Sequence, residues 1–286
     1  MRVATVTSFF PNSANRHRAV FVENLVRAMK RRCEVDVVAP LPLAPPLRAV
    51  PRWWQQSRIP ARETIDGIDV EHPRYVVVPK VELASGATYA AGVTASLRRL
   101  AAAGPGLVVH AHCAYPDGVG VALAARRLGL PYVVTCHGSD INVYSERGAL
   151  RWQIRRALLG AAATIAVSAA LRAKIEALFA GATPAGPLVH IPCAGFDPGV
   201  FRPGDRRALR AELGVPTGGR LVVFVGQLVP IKGTARLVEA WRLLHAEGRL
   251  GADDRLVLVG EGRLRAELAA QAAAGGISDR VHLAGV

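Results

Sequence analysis

Short β-rich apolar runs alternate with helical periodicities along nearly the whole chain, an alternation that calls for helices covering a parallel sheet. Residues 2–7 alternate as a strand, and Phe21, Leu25, Val26 and Met29 recur at the spacing of an amphipathic helix over 19–32. A strand at 35–39, a hairpin at 63–72 about Asp66-Gly67, a helix at 85–103 and a strand at 107–109 follow. Next come a helix at 119–128, a strand at 132–135, a helix at 149–159, a strand at 164–167, a helix at 169–180 and a strand at 188–191. Residues 41–59, which carry Trp53-Trp54, are too rich in proline to predict a regular element.

A linker at 192–205 contains Gly195, Pro198, Pro203 and Gly204, and the alternation then restarts. Helices at 206–213, 235–246 and 264–273 interleave with strands at 220–225, 255–259 and 281–283. The expected class is therefore α/β, with two doubly wound parallel-sheet domains at 1–198 and 199–286. Such a unit ordinarily has about five or six strands, so the second is expected to be incomplete.

At 286 residues and 51% hydrophobic, the chain can bury two cores. Its formal charge of +14 would first suggest nucleic acid. Its lysines, however, are only Lys30, Lys80, Lys174 and Lys232, and its arginines are scattered. Aromatics make up 6%, and no nucleic-acid module accompanies the charge, so no nucleic-acid partner is expected. Anionic lipid headgroups and phosphorylated ligands stay open. Cys33, Cys113, Cys136 and Cys193 form no CxxC pair, which argues against a zinc site or a disulfide scaffold and for the cytoplasm. The apolar start is too short for a signal peptide, and the uncharged run 157–171 too short for a membrane span.

Two neighbouring apolar runs end in histidine: Val109-His110-Ala111-His112, and the run before His137-Gly138-Ser139-Asp140-Ile141-Asn142. Ligands of open α/β sheets bind at such carboxyl ends, so His137 is favoured as a site residue, His112 less so, while His110 packs inside its strand. A second signal is Phe224-Val225-Gly226-Gln227-Leu228, leading to Lys232-Gly233-Thr234. The glycine admits backbone N–H groups to an anion, the helix start is positive, and Lys232 adds a full charge. An ordinary strand-to-helix turn with a solvated lysine fits the same spacing equally well. In Val259-Gly260-Glu261-Gly262, Arg265 stands where a dinucleotide fingerprint needs its third glycine, and Ser8-Phe9-Phe10-Pro11-Asn12 has none. A nicotinamide enzyme is thereby disfavoured. No GxSxG or HExxH motif supports a hydrolase or a zincin.

Together these segments resemble the retaining glycosyltransferases of family 4, with the GT-B architecture of two Rossmann-like domains around a cleft. Further carriers of the resemblance are Phe21-Val22-Glu23-Asn24, Pro73-Arg74-Tyr75, Pro116-Asp117-Gly118, Ala166-Val167-Ser168, and Ile191-Pro192-Cys193-Ala194-Gly195-Phe196-Asp197 with Phe201-Arg202-Pro203. The resemblance implies transfer of a sugar from a nucleotide-diphosphate sugar to a glycan or lipid-linked acceptor of cell-surface polysaccharide type. By it, His137 and Asp140 form the catalytic wall, and Lys232, Gly226, Gln227 and the backbone at Ala19 and Val20 meet the donor diphosphate. Gly260, Glu261 and Gly262 form a donor-side loop, and His112, Asp117 and Asn142 face the acceptor. Neither metal nor cofactor is implied.

Three departures accompany it. Gln227 stands where relatives often carry arginine, and Ala19 where glycine is usual. The family's pair of glutamates spaced eight apart would lie beyond Val286, and Glu261 and Glu267 belong to an earlier strand and helix. Two alternatives follow: an inactive truncated copy that binds nucleotide or glycan weakly, and a sugar-nucleotide 2-epimerase. Trp53-Trp54 among Arg48, Arg52, Arg58 and Arg62 could rest on an anionic membrane at its inner face, or form a solvated, partly packed connection.

Overall fold

The computed structural model describes residues 1–78, 81–192 and 198–285. The chain divides into two compact units, Met1–Gly195 and Phe196–Val286. Residues 193–197 of the motif after Ile191, and Lys80, lie outside the described residues.

The strands of the first unit are β1 (Arg2–Val6), β2 (Glu34–Val38), β3 (Leu41–Pro42), β4 (Arg62–Ile65) and β5 (Ile68–Glu71). After them come β6 (Arg74–Tyr75), β7 (Leu107–His112), β8 (Tyr132–Cys136), β9 (Ala163–Ala166) and β10 (Leu188–His190). Eight of these form one sheet in the order β10-β9-β8-β7-β1-β2-β5-β4, and β3 pairs with β6. Every pairing in the large sheet is parallel except the β4–β5 hairpin. Asp66 and Gly67 both take positive φ in that hairpin, 46° and 78°, as a tight turn between right-twisted strands requires.

The helices are α1 (Val20–Lys30), α2 (Pro51–Ser57), α3 (Ser85–Ala102), α4 (Val119–Leu128), α5 (Ser139–Asn142), α6 (Gly148–Leu159) and α7 (Ala169–Phe179). One core gathers Tyr89, Val93 and Leu97 of α3, Val121 of α4, and Ile154 and Leu158 of α6 over Val6, Val109 and Val134. A smaller core sets Val22 and Val26 of α1 against Phe10, Val37 and Val70. Helices α3 and α4 approach closely because position 120 is glycine; a Cβ there would stand 2.5 Å from the Tyr89 ring.

The region 41–59 is more regular than its prolines suggest. Pro51 occupies the first turn of α2, where the missing N–H would have no helical acceptor, so it starts the helix instead of breaking it. The guanidinium groups of Arg48 and Arg58 lie over the ring of Trp54 on that helix, 5.0 and 5.4 Å from its centroid. The tryptophan pair is thus half engaged with its own loop, nearer to the packed connection than to a free membrane anchor.

The second unit runs α8 (Arg206–Glu212), β11 (Leu221–Val225), α9 (Thr234–Ala246), β12 (Arg255–Val259), α10 (Arg265–Ala274) and β13 (Val281–Gly285). Its sheet is parallel in the order β11-β12-β13. Val238 and Trp241 of α9 pack with Leu268 and Ala272 of α10 over Leu256 and Leu258. The edge strand β11 leaves Val222, Val223 and Val225 exposed. Among the described residues, no helix is long and apolar enough to cross a membrane.

Candidate active site

In the first unit the site is built where β7 and β8 end side by side, with His112 paired to Thr135 in register. His110 sits inside the strand as expected, its Nε2 2.7 Å from Thr135 Oγ1. His112 Nδ1 meets His137 Nε2 at 3.1 Å. The His112 and His137 rings stack 5.3 Å apart at 21°, and the ring of Phe21 of α1 lies 5.0 Å from His137, tilted by 58°. Asp140 is the knot of this corner. Its buried carboxylate accepts N–H bonds from Ala114 and Gly138, both at 2.7 Å, and from His137 at 3.2 Å. One side chain thereby fixes the loops after both strands.

Burial lowers the pKa of all three histidines, His110 to about 4, and for His137 burial outweighs the opposing pull of Asp140. All three are therefore neutral near pH 7. His112 Nε2 is buried and, among the described residues, has no hydrogen-bond partner. A proton there would be an orphaned buried donor, costing about 1–3 kcal/mol. The network thus assigns the proton to Nδ1, which donates to His137 Nε2. His137 in turn carries its proton on Nδ1, as a donor for a ligand oxygen.

Two expected acceptor-side residues serve other ends. His112 and Asp117 are fully buried and present no surface to an acceptor. His112 sets the tautomer of His137. Asp117 Oδ2 accepts from the Ser8 N–H at 3.0 Å and from its hydroxyl at 3.2 Å, which anchors the loop after β1. Burial raises the Asp117 carboxyl to about 7 against the pull of those bonds. Spacing along the chain could not separate a residue at a strand end from one beneath it. Asn142, in contrast, is exposed at the end of α5.

Ala19 caps α1 in the left-handed region, φ 48° and ψ 46°, which explains why glycine suits this place. Val20 opens the helix, whose first N–H groups have no helical acceptor. Beside it lies Arg18, a residue the sequence did not single out. Its guanidinium is 5.6 Å from the Phe9 ring centroid, and burial lowers its pKa while Asp117 raises it. Helical spacing puts Phe21 on the buried face of α1, and the resemblance counts it in the Phe21-Val22-Glu23-Asn24 motif; the structure leaves it partly exposed against His137.

In the second unit, Gly226 ends β11 at φ 154°, and its N–H bonds to the Val259 carbonyl at 2.9 Å. The Leu228 N–H reaches the Glu261 carbonyl at 3.0 Å. A Cβ on Gly260 would overlap the Gly226 carbonyl oxygen, and one on Gly262 the Leu228 carbonyl oxygen. These two glycines therefore interlock the strand-end turns. Glu261 is exposed and pairs with Arg265 at 3.2 Å. Gln227 is also exposed. Lys232 ends the short helical turn Pro230–Lys232 before Gly233 and α9. It is exposed, and among the described residues no carboxylate lies in salt-bridge range of it. Free positive charge, a glycine turn and a helix start coincide there. Such a place suits a phosphate.

Residues 19–197 match the sequence model of Glycosyltransferase Family 4, and residues 205–286 that of Glycosyl transferases group 1. The chain belongs to glycosyltransferase family 4. Family 4 relatives include TuaC of Bacillus subtilis, named for teichuronic acid biosynthesis, 29% identical over 94% of this chain and 67% of its own. An alpha-maltose-1-phosphate synthase of Mycolicibacterium smegmatis is 30% identical over 84% of this chain, which spans only 57% of that relative. Among solved structures, Anabaena HepE in complex with UDP superposes with a TM-score of 0.64 at 21% identity, over all of this chain and 69% of HepE. Sucrose-phosphate synthase of Thermosynechococcus elongatus gives 0.68 at 16% identity, over all of this chain and 71% of its own. The fold is of the GT-B type, with two Rossmann-like units.

Proposed function

We propose that this chain moves a sugar from a nucleotide-diphosphate sugar to a glycan or lipid-linked acceptor, with retention of anomeric configuration. The observation that carries the reading is Lys232, exposed just before the start of α9 and, among the described residues, with no carboxylate in salt-bridge range. The departing diphosphate gathers negative charge, and preorganised donors that meet it lower the barrier. Lys232 supplies a full charge, and the start of α9 supplies N–H groups that have no helical acceptor. Gln227 adds a neutral donor where an arginine would add a second charge. His137, its proton placed on Nδ1 by His112, donates to a hydroxyl of the reacting sugar, and Asp140 holds it there. HepE, crystallised with UDP and with UDP-glucose, supports the donor class, and the name of TuaC supports a cell-surface polysaccharide. In this reading Lys232 supplies the positive charge that offsets the departing diphosphate, and no metal is called for.

Thermal shift with UDP, GDP, ADP and their sugars tests the donor half. One nucleoside diphosphate should raise the Tm, and Lys232→Ala should weaken its binding by about 10- to 100-fold, the worth of a charge-assisted hydrogen bond. The reading fails if no nucleotide shifts the Tm. Free nucleoside diphosphate that appears only with acceptor present separates transfer from epimerisation, and the anomeric configuration of the product reports retention.

A further inference from the structure

Helices α3, α4 and α6 form one layer on the first unit and contain no aspartate, glutamate or lysine. Their ionisable charge is all arginine. Arg99 pairs with Glu71, and Arg155 donates to the carbonyls of Leu178 and Ala180. Arg98, Arg126, Arg127, Arg151 and Arg156 are exposed, and among the described residues none has a carboxylate in salt-bridge range.

The same layer holds an apolar groove of about 270 Å³ between Leu83, Val119, Leu123 and Trp152, with Arg126 and Arg156 at its walls. Trp152 is 60% exposed, although it is the largest side chain on α6, and Arg156 lies 5.4 Å from its ring centroid. Leu83 at the rim is 48% exposed. A soluble polyanion would use the arginines and leave the groove empty. An amphiphile with a negative head and an apolar body fills both. Tryptophan with flanking arginines is also the composition that settles at the boundary of headgroups and acyl chains.

We propose that this face, and not the Trp53-Trp54 segment, docks the chain on an anionic phospholipid surface, with Trp152 inserted and the arginines of α4 and α6 on the headgroups. The proposal goes beyond the transfer reading and gives it a location, because a lipid-linked acceptor is met at the same surface.

The test is co-sedimentation of the full chain, without nucleotide, with vesicles of phosphatidylcholine alone or mixed with phosphatidylglycerol. Binding is expected to the mixed vesicles at low salt, and it should fall as salt screens the headgroups. Each arginine near an anionic surface is worth about fivefold in affinity, so the combined variant R126Q/R151Q/R156Q should bind about 100-fold more weakly. Trp152→Ala should weaken binding severalfold, while Trp53→Ala should leave it unchanged. Failure to bind mixed vesicles, or equal binding to neutral ones, overturns the proposal. So does binding that depends on the arginines but not on Trp152, which assigns the face to a soluble polyanion. A dimer in sedimentation velocity that Trp152→Ala dissolves overturns it too, in favour of a second copy. The nucleotide-induced Tm shift is read on the same variants. Its absence counts against the donor reading alone and leaves the vesicle result standing.

Discussion

Asp117 and His110 lie near the same strand ends and titrate in opposing senses. The Asp117 carboxyl is raised to about 7 by burial, from about 3.9 when unfolded. Its contribution to stability is full below about pH 4 and is lost as pH rises through 7. His110 is lowered to about 4 from about 6.5, so its contribution is full above pH 6.5 and is lost as pH falls through 4. Between these limits the two slopes offset each other. Asp117→Asn keeps an oxygen for Ser8 and removes the buried charge; it should stabilise the fold by about 2–4 kcal/mol near pH 8. It should also uncover the histidines, giving a steeper loss of stability from pH 7 to 4 than in the parent chain. Urea titrations at several pH values check this, and equal pH slopes would refute it. At position 19, a β-branched side chain in the left-handed region should cost about 1–2 kcal/mol in Ala19→Val, with Ala19→Gly neutral or slightly stabilising in the same measurement. His137, Asp140 and Lys232 were legible as candidates because each falls at a strand end or helix start. The burial of His112 and Asp117 was not legible, since it depends on which loop covers them.

Helices and strands were mostly legible, because apolar spacing records which face is buried. The exception, α2, shows the limit: proline forbids a helix interior and suits a helix start, and only the local fold says which applies. The glycines of the second unit teach a similar lesson. Gly260 and Gly262 resemble a ligand-cradling loop in sequence, yet neighbouring carbonyls already fill the space a Cβ would need. Gly262→Ala should destabilise the second unit by about 2 kcal/mol or more through overpacking. Gly148→Ala, at the open start of α6, should be neutral or slightly stabilising. Thermal denaturation distinguishes the pair, and equal effects would refute the steric account. On α7, Ser168 accepts from the Leu171 N–H at 3.2 Å, so Ser168→Ala should cost about 1 kcal/mol.

The two units differ in how well their sheets are covered. Among the described residues, the first has an eight-stranded sheet with helices over both faces, whereas the second has three strands and exposed valines along β11. Amides of β11 to β13 should therefore exchange well before those of β7 and β8, and hydrogen exchange with mass-spectrometric readout measures it. Equal protection in both units would sink that expectation. Periodicity and turn chemistry along the chain were enough to imply two parallel α/β units, since those patterns report local geometry and which side of an element avoids water. What the chain order left open was decided by packing in three dimensions. His112 and Asp117 went beneath the site, Gly260 and Gly262 became spacers, and Arg126 of α4 met Arg156 of α6 beside Trp152. Each outcome depends on contacts between residues far apart in sequence, and no local pattern encodes them.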